Sequence, residues 1–404
     1  FYTLNDTLDW LYQQKKQQRR EDLSRIQKCI ELLEIKTDYF KIHIAGTNGK
    51  GSTAMFLKKL LEQRGKKVGV FTSPYVLCFN ERIAINDEFI RDEEIIHYCN
   101  KLYDFSINYQ KKYQDTIPFF ELTFLMALMY FEDCDIDTAV IECGLGGRLD
   151  ATNVLKTDIQ VITNISLEHQ QQLGSTLESI AWHKLGITEE GYPCFTAVDE
   201  SLYSYFKTYA EEHKVSLYYV TPDVKNIVAG IPLRFQYQNE CYQTSLNATY
   251  QAYNASLAIA VIKYLNLGYT KKEINQVLLN MTYPARFEEL IPNVLLDGAH
   301  NIKAIDALLD SLRKTYKEKN FSFVFTALKD KDIVPMIHLL DSEAHQFYFT
   351  TLEDKRAVDL EFFHDLTSKP CEFFLDYEEA ICKAIKDRKE NELVVITGSL
   401  HFVS

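Results

Sequence analysis

The chain has 404 residues, 46% hydrophobic and 25% charged, with a net charge of −13. The length suggests two or three domains, the composition is that of an ordinary soluble protein, and the acidic balance argues against a general nucleic-acid or membrane-surface binder. The nine cysteines are scattered without a CxxC pair, and the longest strongly apolar stretch, LTFLMALMYF at 122–131, is too short to span a bilayer, so free thiols and a cytoplasmic location are expected.

The first segment, TLDWLYQQKKQQRREDLSRIQKCIELLEI, reads as mostly helical. Short β-like runs then alternate with helical ones: strands at 39–45, 67–72, 138–142 and 158–165, with helices at 52–65 and 120–133 among them. Strands and helices alternating in this way predict a parallel α/β sheet. Between 215 and 250 the pattern changes, and VSLYYV, IPLRFQYQ and CYQTSL read as antiparallel ribbon, followed by helices at 251–265 and 271–280. Two prolines interrupt YPARFEELIPN (283–293). Beyond them VLLD, a helix at 301–318, FSFVFTA, FYFT, CEFFL and ELVVITGS restart the α/β alternation, predicting a second, smaller domain joined near residue 290.

In open parallel sheets ligands bind beyond the carboxyl ends of the strands, and four strand candidates end in polar chemistry. The first runs into Gly46-Thr47-Asn48-Gly49-Lys50-Gly51-Ser52. A strand before and a helix after are what a phosphate loop requires, although the common loop places four residues between its first glycine and Gly-Lys-Ser/Thr, and this one places two. The second ends at Ser73, and the third at Glu142, directly before GLGGR. A buried carboxylate needs a cation there, and a magnesium ion and Arg148 are equally open as that cation. The fourth leads through SLEH to His169, and a lone histidine is more often a satisfied structural group than a ligand. STLE (175–178) fits a capping box, and the helix it starts carries Leu177, Ile180, Ala181 and Lys184 on one face. Lys184 thus falls on the inward stripe, either snorkelling to water or serving the site. In the second domain Asp297, His300 and Asn301 follow VLLD and Ser399 follows the last strand, positions where such residues also cap turns and helices.

Taken together, HIAGTNGKGS (43–52), TSPYVLCFNERIAI (72–85), FFELTF (119–124), IECGLGGRLDATNV (141–154), VITNISLEH (161–169), IAWHKLGI (180–187), YPARFE (283–288), LLDGAHN (295–301) and TGSLHFVS (397–404) resemble the folylpolyglutamate synthase/dihydrofolate synthase family of the Mur-type ligase superfamily. The shortened spacing in the opening loop is that family's own form of phosphate loop. The resemblance implies a P-loop-type parallel-sheet ATPase domain (1–289) and a smaller Rossmann-like glutamate-binding domain (290–404), with ATP between them. It implies ATP-dependent amide ligation: a carboxylate of folate or dihydropteroate becomes an acyl phosphate, and the amine of L-glutamate displaces phosphate. By the same analogy Gly46 to Ser52 cradle the phosphates, Lys50 among them. Ser73 and Glu142, with Ser52 close by, hold one magnesium ion. His169 and Lys184 hold a second, the lysine as a carbamate. Asn254 contacts adenine, Arg286 and Asp297 serve the nucleotide, and His300 and Ser399 serve glutamate. A monomer is expected.

Some positions depart from the family pattern: Glu168 stands where Asp is common, His183 and Leu185 where Glu and Ala are common, and Cys143 where an aliphatic residue is usual. A cell-wall Mur ligase would place a dedicated nucleotide-sugar domain before the phosphate loop, and the segment ahead of Gly46 is too short for one. From a different class, a catalytically inactive nucleotide-binding relative used for interaction is the alternative.

Overall fold

The computed structural model describes residues 1–14 and 21–403; residues 15–20 of the expected N-terminal helical segment lie outside the described residues. Two compact units are present, one made of Phe1–Pro222 and Tyr253–Thr270, the other of Asp223–Ala252 and the chain from Lys271 onward. The chain therefore passes between units more than once, where the sequence suggested a single junction near residue 290.

The first unit is built on one eight-stranded sheet. In chain order its strands are β1 (Phe40–Ala45), β2 (Val68–Phe71), β3 (Ile83–Ile85), β4 (Glu88–Phe89), β5 (Thr138–Glu142), β6 (Ile159–Ile162), β7 (Pro193–Thr196) and β8 (Ser216–Tyr219). Their spatial order is β4-β3-β2-β5-β1-β6-β7-β8, parallel except for the β2-β3-β4 edge. The central strands β2, β5 and β6 are buried along their whole length, which is what continuous apolar runs do when helices cover both faces of a sheet. One such cover is the helix Phe119–Asp133, apolar nearly all round, whose Leu122, Phe124, Leu125 and Leu128 join Phe71, Ala139 and Ile141 in one core cluster. The SLYY run belongs here, pairing in parallel with β7, and not in the ribbon expected from sequence. As the outermost strand it alternates exposed and half-buried residues, which in sequence is indistinguishable from a ribbon strand.

In the second unit the ribbon consists of β9 (Val224–Val228), β10 (Leu233–Tyr237) and β11 (Glu240–Thr244), antiparallel throughout. A six-stranded sheet follows, from β12 (Arg286–Ile291), β13 (Val294–Asp297), β14 (Asn320–Phe325), β15 (Ala344–Thr350), β16 (Cys371–Phe374) and β17 (Glu392–Thr397). Its order is β12-β13-β17-β14-β15-β16, with only β12 antiparallel. The proline-flanked RFEELI is thus an edge strand of this sheet, where Pro292 falls in the turn to β13 and costs no ladder bond. Phe323, Phe325, Phe347 and Phe349 form its core with Leu308, Leu309 and Leu312 of the helix Ile302–Thr315. Among the described residues no helix is long and apolar enough to cross a membrane.

Candidate active site

Strands β2, β5, β1 and β6 are neighbours in the first sheet, so the four polar strand ends singled out in the sequence lie side by side. After β1 the chain turns through Gly46–Gly49 into the helix Lys50–Glu62, which starts two residues earlier than expected and puts Gly51 and Ser52 in its first turn. Gly49 caps this helix at φ 83°, a left-handed conformation glycine adopts without strain, and a Cβ there would run into the Asn254 side-chain amide. Asn254, 4% exposed, is therefore packed on the loop. The Lys50 ammonium donates to the carbonyls of Gly46 (3.1 Å) and Thr47 (3.2 Å) and stands 3.9 Å from Glu142 Oε1.

Glu142 ends β5 almost fully buried, and its Oε2 accepts the Ser73 backbone N–H at 3.1 Å. Arg148, the structural alternative as its partner, turns away: it donates to the Tyr209 hydroxyl at 2.9 Å and stacks on the Trp182 ring. Among the described residues no three His, Cys, Asp or Glu side chains gather closely enough to hold a metal ion unaided. Magnesium typically takes one or two protein oxygens and completes its shell with water and substrate phosphates, and the Glu142 carboxylate at the end of β5 is an oxygen donor of that kind.

Lys184 lies on the helix Leu177–Leu185, whose cap is one residue later than STLE suggested: Thr176 accepts from the Ser179 N–H, and the Ser179 side chain reaches back. The shift leaves the inward face in place, with Ile180, Ala181 and Lys184 buried, Leu177 half-buried, and Leu185 buried beside them. The lysine, 4% exposed, does not snorkel. Its helix is fastened to the GLGGR loop by Arg148 N–H donating to the His183 carbonyl (2.7 Å) and Asn153 Nδ2 to that of Gly186 (3.0 Å). Burial first, and then the nearby Lys50 charge, lower the Lys184 pKa from 10.5 to about 7, against the pull of Glu168 and Asp150. A substantial share of this amine is neutral near pH 7. His169 adopts φ 50° ahead of the short helix Gln170–Leu173, with Nε2 3.7 Å from Glu168.

The remaining expected residues belong to the second unit. Asp297 ends β13 buried, its Oδ2 accepting from the Tyr250 hydroxyl (2.8 Å) and Phe287 N–H (2.9 Å), its Oδ1 from Ala299 N–H (2.9 Å). Burial raises its pKa, with Arg286 and these donors pulling the other way. The Arg286 side chain donates to the Ala285 carbonyl, His300 Nδ1 is 2.8 Å from the Gly298 carbonyl, and Ser399 is buried after β17. Asn301, by contrast, caps the helix Ile302–Thr315, the structural reading left open for it.

Sequence reasoning missed a buried polar network beside Glu142: His43 Nε2 meets Thr152 Oγ1 (2.8 Å) and Cys143 Sγ (3.1 Å), while the Thr152 hydroxyl donates to Asp150 (2.6 Å). Asp150 also accepts from Leu145 N–H, fixing the GLGGR loop; an acid closing a glycine-rich run was the available signal. Glu121 of FFEL pairs with Arg25 through two hydrogen bonds, and the ring of Phe120 packs against that of Phe71.

Residues 44–262 match the Mur ligase middle domain and residues 286–400 the glutamate ligase domain of Mur ligases. The chain is 34% identical to the dihydrofolate synthase/folylpolyglutamate synthase of Bacillus subtilis, covering all of this chain and 98% of that protein. Escherichia coli FolC, solved in complex with DHPP and ADP, superposes with a TM-score of 0.89 at 26% identity, covering 99% of this chain and 96% of that one. A bifunctional folylpolyglutamate synthase/dihydrofolate synthase solved with Mn, AMPPNP and L-glutamate gives 0.85 at 27%, with the same coverage. The chain belongs to the dihydrofolate synthase/folylpolyglutamate synthase family, ATP-dependent ligases that form an amide bond with glutamate.

Proposed function

We propose that this chain is bifunctional, adding L-glutamate both to dihydropteroate and to reduced folates, as the name of its Bacillus subtilis relative describes that enzyme. The observation that carries the ligase chemistry is the meeting of Lys50 and Glu142 at adjacent strand ends, with Lys184 of the helix Leu177–Leu185 near enough to feel the Lys50 charge. No observation favours an inactive nucleotide-binding relative.

A carboxylate is a poor acyl donor. Its oxygen attacks the γ-phosphorus of ATP, ADP leaves, and the acyl phosphate so formed is attacked at carbon by the glutamate amine, which loses a proton as phosphate departs. The first-turn N–H groups of Lys50–Glu62 and the Lys50 ammonium hold the phosphate oxygens, and Asn254, packed on the same loop, meets the adenine. Ser73, Glu142 and Ser52 would hold one magnesium ion, and His169 with Lys184 a second. Bound there, the two ions supply charge neutralisation and a clamp on the oxygens of the transferring group. Lys184 cannot ligate a cation as an ammonium. Its neutral fraction can attack carbon dioxide, forming a carbamate and releasing a proton, and the product has two oxygens sharing one negative charge beside Lys50.

In the second unit, Asp297 spends its oxygens on the fold, so its part in nucleotide binding runs through Arg286 and the 298–300 turn that it holds. His300, whose Nδ1–H donates to the Gly298 carbonyl, and the Ser399 hydroxyl are the groups we assign to glutamate. We read the protein as acting as a monomer.

ADP release is the test, with ATP, magnesium, and dihydropteroate or a reduced folate, each with and without L-glutamate, and products identified by mass. Glutamate-dependent turnover on both acceptors is expected. Turnover on the folate alone would remove the dihydropteroate activity, and silence on both would remove the ligase reading.

A further inference from the structure

Lys50 and Ser52 explain how a phosphate could be held, but not what keeps the loop carrying them in shape. The answer lies just beyond the end of β6. Asn48 N–H donates to Asn164 Oδ1 at 3.0 Å, and Asn164 Nδ2 donates back to the Asn48 carbonyl at 3.0 Å. The side-chain amide thus mimics one rung of a β-ladder. The Thr163 hydroxyl donates to the same carbonyl at 2.6 Å, and Thr47 N–H donates to the Asn164 carbonyl at 2.9 Å. Thr163 also occupies the space where a Cβ at position 46 would fall, so the close approach of the two segments depends on Gly46. One step further, Thr47 Oγ1 donates to the Ser166 carbonyl (3.2 Å) and accepts from Ser166 N–H (3.1 Å). The loop and the segment leading to His169 are therefore laced together along their length.

We propose that Thr163 and Asn164 are positioning residues that hold the backbone of the phosphate loop in its ATP-binding form and tie it to the 166–169 segment. This rests on the reading of Gly46–Ser52 as the ATP loop. A glycine-rich turn left to itself samples many backbone states, and ordering it when ATP binds would cost conformational entropy. With the carbonyl and N–H of Asn48 both taken up by Thr163 and Asn164, much of that ordering is complete in the folded chain. Preorganisation of this kind strengthens binding of ATP in the ground state and in the transition state alike. Its loss therefore raises the KM for ATP and leaves kcat largely intact.

The experiment compares Asn164→Ala, Thr163→Val, Thr163→Ser and Lys50→Ala in the full chain, measuring steady-state constants for all three substrates and direct ATP binding by calorimetry. Asn164→Ala and Thr163→Val are expected to raise the KM for ATP roughly tenfold, the size that one or two ordinary hydrogen bonds amount to. Their kcat should stay within about threefold and their KM for folate and glutamate should not move, while Thr163→Ser, which keeps the hydroxyl, should behave like the parent. A lower apparent kcat at unchanged ATP KM would mean fewer correctly folded molecules and would overturn the positioning role. Unchanged ATP affinity in both variants while Lys50→Ala weakens it would also overturn it, leaving the loop assignment standing. Unchanged ATP affinity in Lys50→Ala as well would remove the loop assignment and the proposal with it. Should Asn164→Ala fail to fold, the Thr163 pair decides the question.

Discussion

The ends of β1 and β13 have the same local design, a buried parallel strand running into a polar turn and then a helix, yet they treat their charges in opposite ways. Beyond β13, Asp297 receives three hydrogen bonds from its own unit, from Tyr250, Phe287 and Ala299. Beyond β1 and its neighbours, burial lowers the pKa of Lys184, and the nearby charge of Lys50 lowers it further. A buried charge completed by its own chain stabilises the fold that holds it. Like charges pressed together cost stability, and an anion from outside relieves that cost. On the reading of Gly46–Ser52 as the ATP loop, the first end is organised around a ligand and the second around itself, so substitutions at the first should cost chemistry and at the second stability.

The sharpest way to break this contrast is to remove the cations. Lys50→Ala should lower turnover by about 10²–10³-fold, the range for losing a group aimed at developing charge. Lys184→Met should lower it comparably while raising the melting temperature of the metal-free, nucleotide-free protein at pH 7. The sign follows from linkage. The Lys184 pKa falls from 10.5 to about 7 on folding, so between those values the unfolded chain binds more protons and stability rises with pH. The penalty is fully present below about pH 7 and amounts to roughly 2–5 kcal/mol. Denaturant midpoints from pH 6 to 10 in carbon-dioxide-free buffer check this. The parent should show the slope and Lys184→Met should lose its Lys184 component. Added bicarbonate should stabilise the parent alone, because a carbamate turns repulsion from Lys50 into attraction.

Asp297→Ala tests the other side. It strands two backbone N–H groups and the Tyr250 hydroxyl in a buried place, which should cost about 3 kcal/mol by denaturant unfolding. Loss of activity without loss of stability would place this residue with the first group and dissolve the comparison. A smaller effect is expected at Ser73. Its backbone N–H, not its hydroxyl, holds Glu142, so Ser73→Ala should leave stability within about 0.5 kcal/mol. If the hydroxyl is a magnesium ligand, half-saturation should need roughly tenfold more of the ion. An unchanged magnesium titration would take Ser73 out of the metal site.

The comparison also shows what the sequence made legible. Apolar runs ending in polar residues marked β1, β2, β5 and β6, and because these strands turn out adjacent, the first group of site residues could be assembled before any coordinates. Helical periodicity put Lys184 on the buried face, and it is there. What failed to show was long-range pairing. Ser216–Tyr219 looked like ribbon because an edge strand alternates, and the passage between the units at Ala252–Tyr253 left no mark because it falls inside the helix Gln251–Tyr264. Asn164 was hidden for a different reason. An asparagine at a strand end reads as a turn residue, and that its amide completes a backbone rung 116 residues away depends on sheet order.

The smallest predicted effect separates building the site from holding it. Thr176 caps the helix Leu177–Leu185 by accepting from Ser179 N–H, and it touches none of the residues assigned to ATP, metal or glutamate. Thr176→Ala should cost about 1 kcal/mol, the usual value of such a cap. That loss is local, because the far end of the same helix is fastened to the GLGGR loop through the His183 and Gly186 carbonyls. If those fastenings fix Lys184, the first turn can fray while the lysine stays in place, and hydrogen exchange should quicken at 177–180 with kcat within about twofold of the parent. If instead kcat falls as far as in Lys184→Met, the lysine is held by its whole helix. The first strand-end region would then extend its ligand-organising burden out to Thr176, and the fold on that side would be less separable from the chemistry than the Asp297 side is.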